Sequence, residues 1–217
     1  MRDAIILLSG GVDSTTLLWE YASRIALAVS FDYGSKHNKR EIAAAAWHCE
    51  KLAIPHLVIP LAFMAEHFKS DLLLSGGAVP TGAYNQENMS STVVPFRNGI
   101  MLAIVAGLAE SKGLRAVLIA NHGGDHFIYP DCRPEFVDTM NQAIKAGTGG
   151  QVELLSPYTH LSKTEILQHG AALGVDYAHT YSCYQGGEKH CGVCGTCQER
   201  RDSFAEARLE DPTSYEI

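Results

Sequence analysis

Residues 9–14, Ser-Gly-Gly-Val-Asp-Ser, have the composition of an anion-binding turn. They follow a short aliphatic run at residues 5–8, which indicates a buried strand, and lead into a segment that indicates a helix. Adjacent glycines let the backbone approach a ligand closely, and free N–H groups at a helix N-terminus attract negative charge. The turn is therefore predicted to bind phosphate, and a glycine turn that merely starts a helix is the alternative.

The spacing of this turn excludes two common nucleotide motifs. A kinase-type P-loop needs four residues between its glycines and then a lysine, and no lysine follows Gly11. A Rossmann fingerprint needs a third glycine at a set spacing, which is also missing. The string instead resembles the S-G-G-x-D-S signature of the PP-loop ATP pyrophosphatases.

That resemblance implies cleavage of ATP between its α- and β-phosphates. Asp13 would help to hold a Mg²⁺ ion that bridges the phosphates, and Asp13 and Ser14 become catalytic candidates. The ATP-binding residues that the resemblance implies are Leu8, Ser9, Gly10, Gly11, Val12, Asp13, Ser14, Thr15, Thr16, Leu17 and Leu18.

Four cysteines, Cys183, Cys191, Cys194 and Cys197, fall in one short segment punctuated by glycines. Such a loop can wrap one tetrahedral metal ion, and a closed four-cysteine site usually holds structural zinc. An iron–sulfur cluster is the alternative, because C-x2-C-x2-C also occurs in ferredoxins. Zinc is favoured, since no proline follows the last cysteine and no other feature indicates electron transfer. Four free thiols without a metal are the remaining interpretation.

The surrounding sequence predicts alternating strands and helices that would position these residues. Apolar runs predict strands at residues 5–8, 25–31, 56–61, 116–120 and 152–155, with helices at about 39–52, 99–111, 134–146 and 162–174. This alternation of strands and helices predicts an α/β fold, a doubly wound parallel sheet with helices on both faces. Ligands bind at the carboxyl ends of such strands, so residues 9–14 and 32–37 are expected at one edge. Residues 62–94 are irregular, which fits either a lid or binding loop or a partly disordered excursion.

Composition and charge restrict the possible partners. The chain has 217 residues, 46% hydrophobic and 19% charged, which predicts a single domain over residues 1–217 with a zinc-binding segment at about 181–217. Its formal charge of −7 opposes direct nucleic-acid binding and favours a small-molecule substrate. No apolar run is long enough to cross a membrane and no signal-peptide pattern is present, so a cytoplasmic protein is expected.

Several further segments resemble the 7-cyano-7-deazaguanine synthases, the PP-loop enzymes of queuosine and archaeosine biosynthesis. The matching segments are residues 9–16, Phe31-Asp32-Tyr33-Gly34 with His37, Val94-Pro95-x-Arg97-Asn98, residues 129–136, Ser162-Lys163-x-Glu165-Ile166, and Ser182-Cys183-Tyr184 with the three later cysteines. The residues 131–133, Asp-Cys-Arg, together with the cysteine cluster single out this family. The chain departs from the family pattern at Ser35, Lys36, Phe96 and Ile128, which leaves the exact substrate preference open.

The resemblance implies conversion of the carboxylate of 7-carboxy-7-deazaguanine to a nitrile, with ammonia and ATP. It also implies Mg²⁺, one structural Zn²⁺ per chain bound by the four cysteines, and a homodimer. Two alternatives stay open. One is a PP-loop enzyme that thiolates tRNA directly, which would need a basic RNA-binding surface, and the other is a zinc-stabilised nucleotide-binding module without catalysis.

Loop positions and the resemblance nominate residues that would face the substrate. The substrate-binding candidates are His37, Arg97, Asn98, Asp125, Tyr129, Asp131, Arg133 and Lys163, and Arg97, Asp131 and Arg133 are also catalytic candidates. Arg97 and Arg133 could orient a carboxylate or the α-phosphate, and each could equally form a surface salt bridge. Asp125 and Asp131 could contact the purine-like edge or accept a proton.

For Lys163, His37 and the two cysteines outside the cluster, a purely structural role is the alternative to a functional one. Lys163 could neutralise a phosphate, but it lies in the first turn of a predicted helix, where solvated lysines are common. His37 could bind phosphate or substrate, or cap local structure. Of the cysteines outside the cluster, Cys49 is predicted to be a core residue. The neighbour Arg133 could favour the thiolate of Cys132, but a lone cysteine is more often inert, and no covalent intermediate is expected.

Overall fold

The computed structural model describes residues 2–217 and contains a sheet of five parallel strands in the order β3-β2-β1-β4-β5. The strands are β1 (Ala4–Leu7), β2 (Ile25–Asp32), β3 (His56–Pro60), β4 (Ala116–Leu118) and β5 (Glu153–Leu155). Each lies at a predicted position and differs from the expected bounds by a residue or two at its ends. The predicted parallel sheet is confirmed.

Helices connect the strands and cover the sheet. They are α1 (Val12–Glu20), α2 (Asn38–Lys51), α3 (Ala62–His67), α4 (Gln86–Met89), α5 (Arg97–Ser111), α6 (Pro134–Gly147), α7 (Lys163–Leu173) and α8 (Gly195–Ala207). Single 3₁₀ turns lie at Ser90–Thr92, Gly123–Asp125, Pro130–Cys132 and Tyr177–His179. Helix α7 begins at a reciprocal capping box between Ser162 and Glu165 and ends at Gly174, as predicted. No sequence pattern predicted α3, α4 or α8.

Alternate side chains of β1 enter two cores on opposite faces of the sheet. Ile5 belongs to a core with Leu102 and Val105 of α5, whereas Ile6 belongs to a core with Leu17 of α1 and Ile166 of α7. The sheet is therefore doubly wound, as predicted. The strand order reverses between β1 and β4. A crevice forms at the carboxyl ends of such a pair of strands, and ligands of open α/β sheets bind there.

The irregular segment between β3 and α5 makes defined contacts with two neighbouring loops. The Nζ of Lys36, in the loop after β2, donates to the carbonyl oxygens of Asp71 and Gly77. Farther along, the Gly82 N–H donates to the Val193 carbonyl oxygen at 2.8 Å. These bonds fix the segment between the loop after β2 and the cysteine-rich loop.

No single helix among residues 2–217 has both the length and the apolar character to cross a membrane. Two consecutive helical segments would be long and apolar enough only if they were taken together, and their axes are bent by 52° at the break between them. These segments are Gln86–Thr92 and Arg97–Ser111. Helix α5 buries Leu102, Val105 and Ala109 in the protein core, as expected for its apolar sequence.

Gly10 fixes the distance between the phosphate-type turn and α2. Its φ is 87°, and a Cβ atom there would lie 2.2 Å from the Glu41 carbonyl oxygen and 2.9 Å from the Ala45 nitrogen. Its own carbonyl oxygen accepts the Tyr181 N–H at 3.0 Å. Only glycine fits this conformation and this contact, so the turn, α2 and the C-terminal segment meet at one residue.

Gly10→Ala is expected to lower the stability by about 2–5 kcal/mol, the sum of left-handed strain and overpacking. Gly113→Ala is the matched control, because Gly113 has a φ of 66° with nothing within 4 Å of an added Cβ. That control should lose only the strain, about 1–2 kcal/mol. Thermal unfolding of both variants at one metal concentration measures the difference, and equal losses would contradict the role given to the close contact.

Candidate active site

A cleft opens at the carboxyl edge of the sheet, where the sequence predicted a site. Its volume is about 1320 Å³, including the part that is open to solvent. Its walls come from the loops after β1, β2 and β4, from the first turns of α2, α5 and α7, and from the cysteine-rich segment with α8. The predicted site residues that line it are Leu8, Ser9, Gly11, Val12, Asp13, Ser14, His37, Arg97, Asn98, Asp125, Tyr129 and Lys163.

The two serines of the phosphate-type turn hold its shape. Ser14 Oγ accepts the N–H groups of Ser9 and Gly10 at 3.2 and 3.3 Å and lies 2.9 Å from Ser9 Oγ. Gly11 is the N-cap residue of α1, and no side chain caps the helix. The first N–H groups of α1 are therefore available to an anion in the cleft.

Part of the predicted ATP-binding set lies behind the cleft wall. The residues that do not line the cleft are Gly10, Thr15, Thr16, Leu17 and Leu18. Leu17 and Leu18 are fully buried in the core beneath α1, and Thr16 Oγ1 donates to the Val12 carbonyl oxygen at 2.9 Å. These side chains support the turn from within the protein.

A cluster of opposite charges lies beside the turn. Lys163 Nζ is 3.2 Å from Asp13 Oδ2 and 2.9 Å from Glu199 Oε2. Burial alone lowers the pKa of Lys163, but the carboxylates of Asp13, Glu199 and Asp125 outweigh burial and raise that pKa. The Lys163 side chain is only 18% exposed, so it is a buried cation of the cleft and not a solvated surface lysine.

His122, Asp125 and Glu199 bring ligand-type atoms within 4.8 Å of one another. His122 Nδ1 accepts the Gly124 N–H at 3.1 Å, which assigns the ring proton to Nε2. Nε2 lies 3.4 Å from Asp125 Oδ2 and 3.7 Å from Asp13 Oδ2. Nε2 makes no hydrogen bond among residues 2–217. The oxygen atoms of Asp13, Asp125 and Glu199 are the donors that suit Mg²⁺.

The irregular segment before α5 contributes Tyr84 to the cleft. Its hydroxyl donates to Asp125 Oδ1 at 2.7 Å. Burial alone raises the pKa of Asp125, but His122, Lys163 and this hydrogen bond outweigh it and lower that pKa. Asp125 is therefore an ionised acceptor that ties the segment to the charged cluster.

A second polar group lines the cleft near the end of β2. Arg97 Nη1 donates to the Tyr33 hydroxyl at 3.2 Å, and that hydroxyl lies 3.3 Å from His37 Nε2. The His37 ring stacks on Tyr184, with 5.1 Å between ring centres. Burial, together with nearby Arg97, lowers the pKa of His37 to about 3, so the ring is neutral at pH 7. Glu41 of α2 lines the same side.

Asp131 and Arg133 lie outside the cleft wall. Asp131 Oδ2 accepts the Asn98 N–H at 2.8 Å and so satisfies the start of α5. Arg133 is exposed, and its Nε donates to the His126 carbonyl oxygen at 2.8 Å. Burial raises the pKa of the Cys132 thiol well above its usual range. The thiol form of Cys132 is therefore favoured, in line with the expectation of an inert cysteine.

The four cysteines of the predicted metal site lie together. Cys183, Cys191, Cys194 and Cys197 are buried, and their sulfur atoms lie within 4.8 Å of one another. Tetrahedral zinc with bonds of about 2.3 Å holds sulfur atoms about 3.8 Å apart, and the Cys191 and Cys197 sulfurs are 3.9 Å apart. The N–H groups of Cys191 and Cys194 each lie 3.3 Å from a cluster sulfur, a contact that favours thiolates. The donor set fits one tetrahedral metal ion.

The family model for queuosine biosynthesis protein QueC matches residues 3–208. The chain belongs to that family. It is 59% identical over 215 residues to 7-cyano-7-deazaguanine synthase from Porphyromonas gingivalis, covering 99% of this chain and 98% of the relative. Relatives of the same name from Desulfotalea psychrophila and Rhizobium etli are 52% and 47% identical, covering 99% and 98% of this chain and 99% and 91% of the relatives. The family predicted from the motifs is confirmed.

A solved structure of NMN synthetase from Francisella tularensis has a similar fold. The TM-score is 0.52 at 14% identity, covering 96% of this chain and 78% of that chain. At this identity the likeness concerns the fold alone, and it agrees with the doubly wound sheet.

Three residues in or beside the charged cluster were not predicted from the sequence. Glu199 lies on α8, two residues after Cys197, in a helix that no pattern indicated. Tyr84 comes from the irregular segment, where neither residue type nor spacing singled it out. His122 follows the strand at 116–118, and that position after a strand was the one signal that could have nominated it.

Arg200 ties the segment before the first cysteine of the cluster to the C-terminal tail. Its side chain is 2% exposed, Nη1 donates to Thr180 Oγ1 and Ser182 Oγ at 2.9 and 3.2 Å, and Nε donates to Asp211 Oδ1 at 3.1 Å. Burial alone raises the pKa of Asp211, but Arg200 and the Tyr215 hydroxyl outweigh it and lower that pKa. Ser182 lines the cleft, so the buried ion pair shapes one wall.

Asp211→Asn is expected to destabilise the protein by about 3–5 kcal/mol at pH 7, because the buried Arg200 charge loses its partner. The lowered pKa means that the stabilisation is full above the unfolded value of about 3.9 and is lost as the pH falls through the folded value. The gap in thermal midpoint between wild type and variant should therefore shrink below about pH 4. Asp138→Asn, on the exposed face of α6, is the control, and a gap independent of pH would refute the ion-pair explanation.

Proposed function

We propose that this protein converts 7-carboxy-7-deazaguanine, ammonia and ATP to 7-cyano-7-deazaguanine in queuosine biosynthesis, as a ligase that forms carbon–nitrogen bonds. The observation that carries the proposal is the 59% identity, over almost the whole of both chains, to a relative named for that product. The cleft supports it, because an uncapped helix start beside three carboxylates and a lysine suits a nucleoside triphosphate with its metal ion.

The chemistry requires two activations. A carboxylate is a poor electrophile, so transfer of AMP from ATP to one carboxylate oxygen releases pyrophosphate and creates a good leaving group. Ammonia then displaces AMP with loss of a proton and gives the amide. Transfer of a second AMP to the amide oxygen, followed by loss of AMP and the two N–H protons, gives the nitrile. We propose that one ATP site serves both activations.

Each end of the phosphate chain has residues suited to it. The first N–H groups of α1, with the hydroxyls of Ser9 and Ser14, would hold the pyrophosphate that leaves. Asp13, with Asp125 and Glu199, would hold Mg²⁺, which when bound neutralises phosphate charge and polarises the α-phosphate. The protein's own contribution is to fix the acceptor oxygen in line with that phosphate.

The remaining candidates divide into groups that face the substrate and groups that position them. Lys163 would neutralise charge on the α-phosphate, and Arg97 would orient the substrate carboxylate. Asp131 and Arg133 would act by holding the start of α5 and the loop after β4. The other residues proposed to face the substrate are His37, Asn98, Asp125 and Tyr129.

Asp13→Asn is expected to lower turnover at least about 100-fold, because Mg²⁺ and Lys163 both lose a charged partner. The thermal midpoint should fall less than in Asp211→Asn, because Glu199 still pairs with Lys163. Asp138→Asn should keep full activity. The assay incubates each protein with 7-carboxy-7-deazaguanine, ATP, Mg²⁺ and ammonium, and mass analysis detects amide and nitrile. Absence of both products with the wild-type protein would reject the proposed reaction, and equal turnover of Asp13→Asn would reject the role of the turn.

We propose that the cysteine cluster holds one structural zinc ion per chain. Purified protein should then contain one equivalent of zinc, and Cys194→Ser should lose it together with much of the thermal stability. Cys49→Ala, which removes a buried thiol away from the cluster, should keep the metal. Elemental analysis and an acid-labile sulfide assay decide between zinc and an iron–sulfur cluster, and iron with sulfide would overturn the assignment.

Partners and location follow from the same proposal. The net charge of −7 supports small-molecule substrates without direct nucleic-acid binding. The homodimer that the family resemblance implies and the cytoplasmic location that the sequence predicts are part of this proposal.

A further inference from the structure

Glu41 is a cleft residue whose carboxyl group has no hydrogen-bond partner among residues 2–217. Its side chain is 16% exposed and lines the cleft beside the second polar group. His37 Nε2 lies 3.6 Å from Glu41 Oε2, beyond hydrogen-bond distance. A carboxyl group taken out of water without a donor is costly, so a partner is expected from outside the chain.

The backbone around Glu41 is fixed on two sides. Asn38 Oδ1 accepts the N–H groups of Tyr33 and Ser35 at 3.1 and 2.9 Å, which locks the start of α2 onto the end of β2. The Glu41 carbonyl oxygen packs against the backbone of Gly10. The side chain is therefore presented to the cleft from a rigid position, as a recognition group requires.

The neighbouring side chains do not supply the missing donor. Arg97 directs its Nη1 to the Tyr33 hydroxyl, and burial keeps His37 neutral. Burial raises the pKa of Glu41 to about 8, although Arg97 acts in the opposite direction. The carboxyl group can therefore present itself to a ligand either as an acceptor of two N–H donors or, when protonated, as one donor beside one acceptor.

We infer that Glu41 reads the edge of a purine-type ring that carries an exocyclic amine next to a ring nitrogen. This inference rests on the proposed function, whose two heterocycles both present such an edge. The 2-amino-4-oxo ring of the deazaguanine offers two adjacent N–H donors to a carboxylate, and the 6-amino ring of adenine offers one donor and one acceptor to a carboxylic acid. The aromatic rings of Tyr33 and Tyr184 line the cleft beside Glu41 and suit a flat ligand.

A cycle of protein variants and ligand analogues tests the contact by equilibrium binding, measured calorimetrically on the full-length protein. The variants are Glu41→Gln and Glu41→Ala, and the control is Glu50→Gln on the exposed side of the same helix. One ligand pair is 7-carboxy-7-deazaguanine and its counterpart without the 2-amino group. The other pair is ATP and purine riboside triphosphate, which lacks the 6-amino group.

In one of the two ligand pairs, the ligand without the amine should bind wild type and Glu50→Gln about 10- to 100-fold more weakly than the ligand with the amine. The same comparison for Glu41→Ala should show a difference of no more than about 2-fold. The pair that responds identifies the ring that Glu41 reads. Equal amine effects in wild type and both Glu41 variants, for both pairs, would overturn the inference. Wild-type protein that binds ATP but not 7-carboxy-7-deazaguanine would instead reject the proposed substrate, and the ATP pair would still decide the role of Glu41.

Discussion

The close approach of the Gly10 backbone to α2 is the constraint on which the cleft depends. It sets the phosphate-type turn against the first turn of α2, where Glu41 lies, and it leaves the Gly10 carbonyl oxygen free to accept the Tyr181 N–H. A Cβ atom at this position would lie 2.2 Å from the Glu41 carbonyl oxygen and would push α2 outward by about 1 Å. Because packed interiors do not absorb such a shift locally, both the cleft wall and the C-terminal segment would move with it.

The two sides of the cleft differ in charge. Beside the turn, the carboxylates of Asp13, Glu199 and Asp125 raise the pKa of Lys163, whereas burial raises the pKa of Glu199. Near the end of β2, burial holds His37 neutral and raises the pKa of Glu41. A site with one ionic side and one desolvated side suits a ligand set in which phosphates and a flat heterocycle must lie end to end.

The sequence predicted those parts of the molecule whose signals are local. Aliphatic runs located all five strands, and the Ser162–Glu165 capping box located the start of α7, because strand burial and helix capping are properties of a few consecutive residues. The spacing of the four cysteines is an equally local signal. Glu199 and Tyr84 were missed because their roles arise from packing between distant segments. Likewise, the loop position of Asp131 did not reveal that its carboxylate accepts the Asn98 N–H at the start of α5.

Helix α8 contributes residues both to the cysteine cluster and to the charged side of the cleft. Its N-terminus holds Cys194 and Cys197 of the metal cluster, and Glu199 follows within the next turn, in contact with Lys163 in the cleft. The proposed metal ion and the proposed nucleotide would thus both be held by residues of the first two turns of this helix, and each would secure the placement of residues that bind the other. If the metal ion strengthens nucleotide binding, the nucleotide would strengthen metal retention by the same free energy.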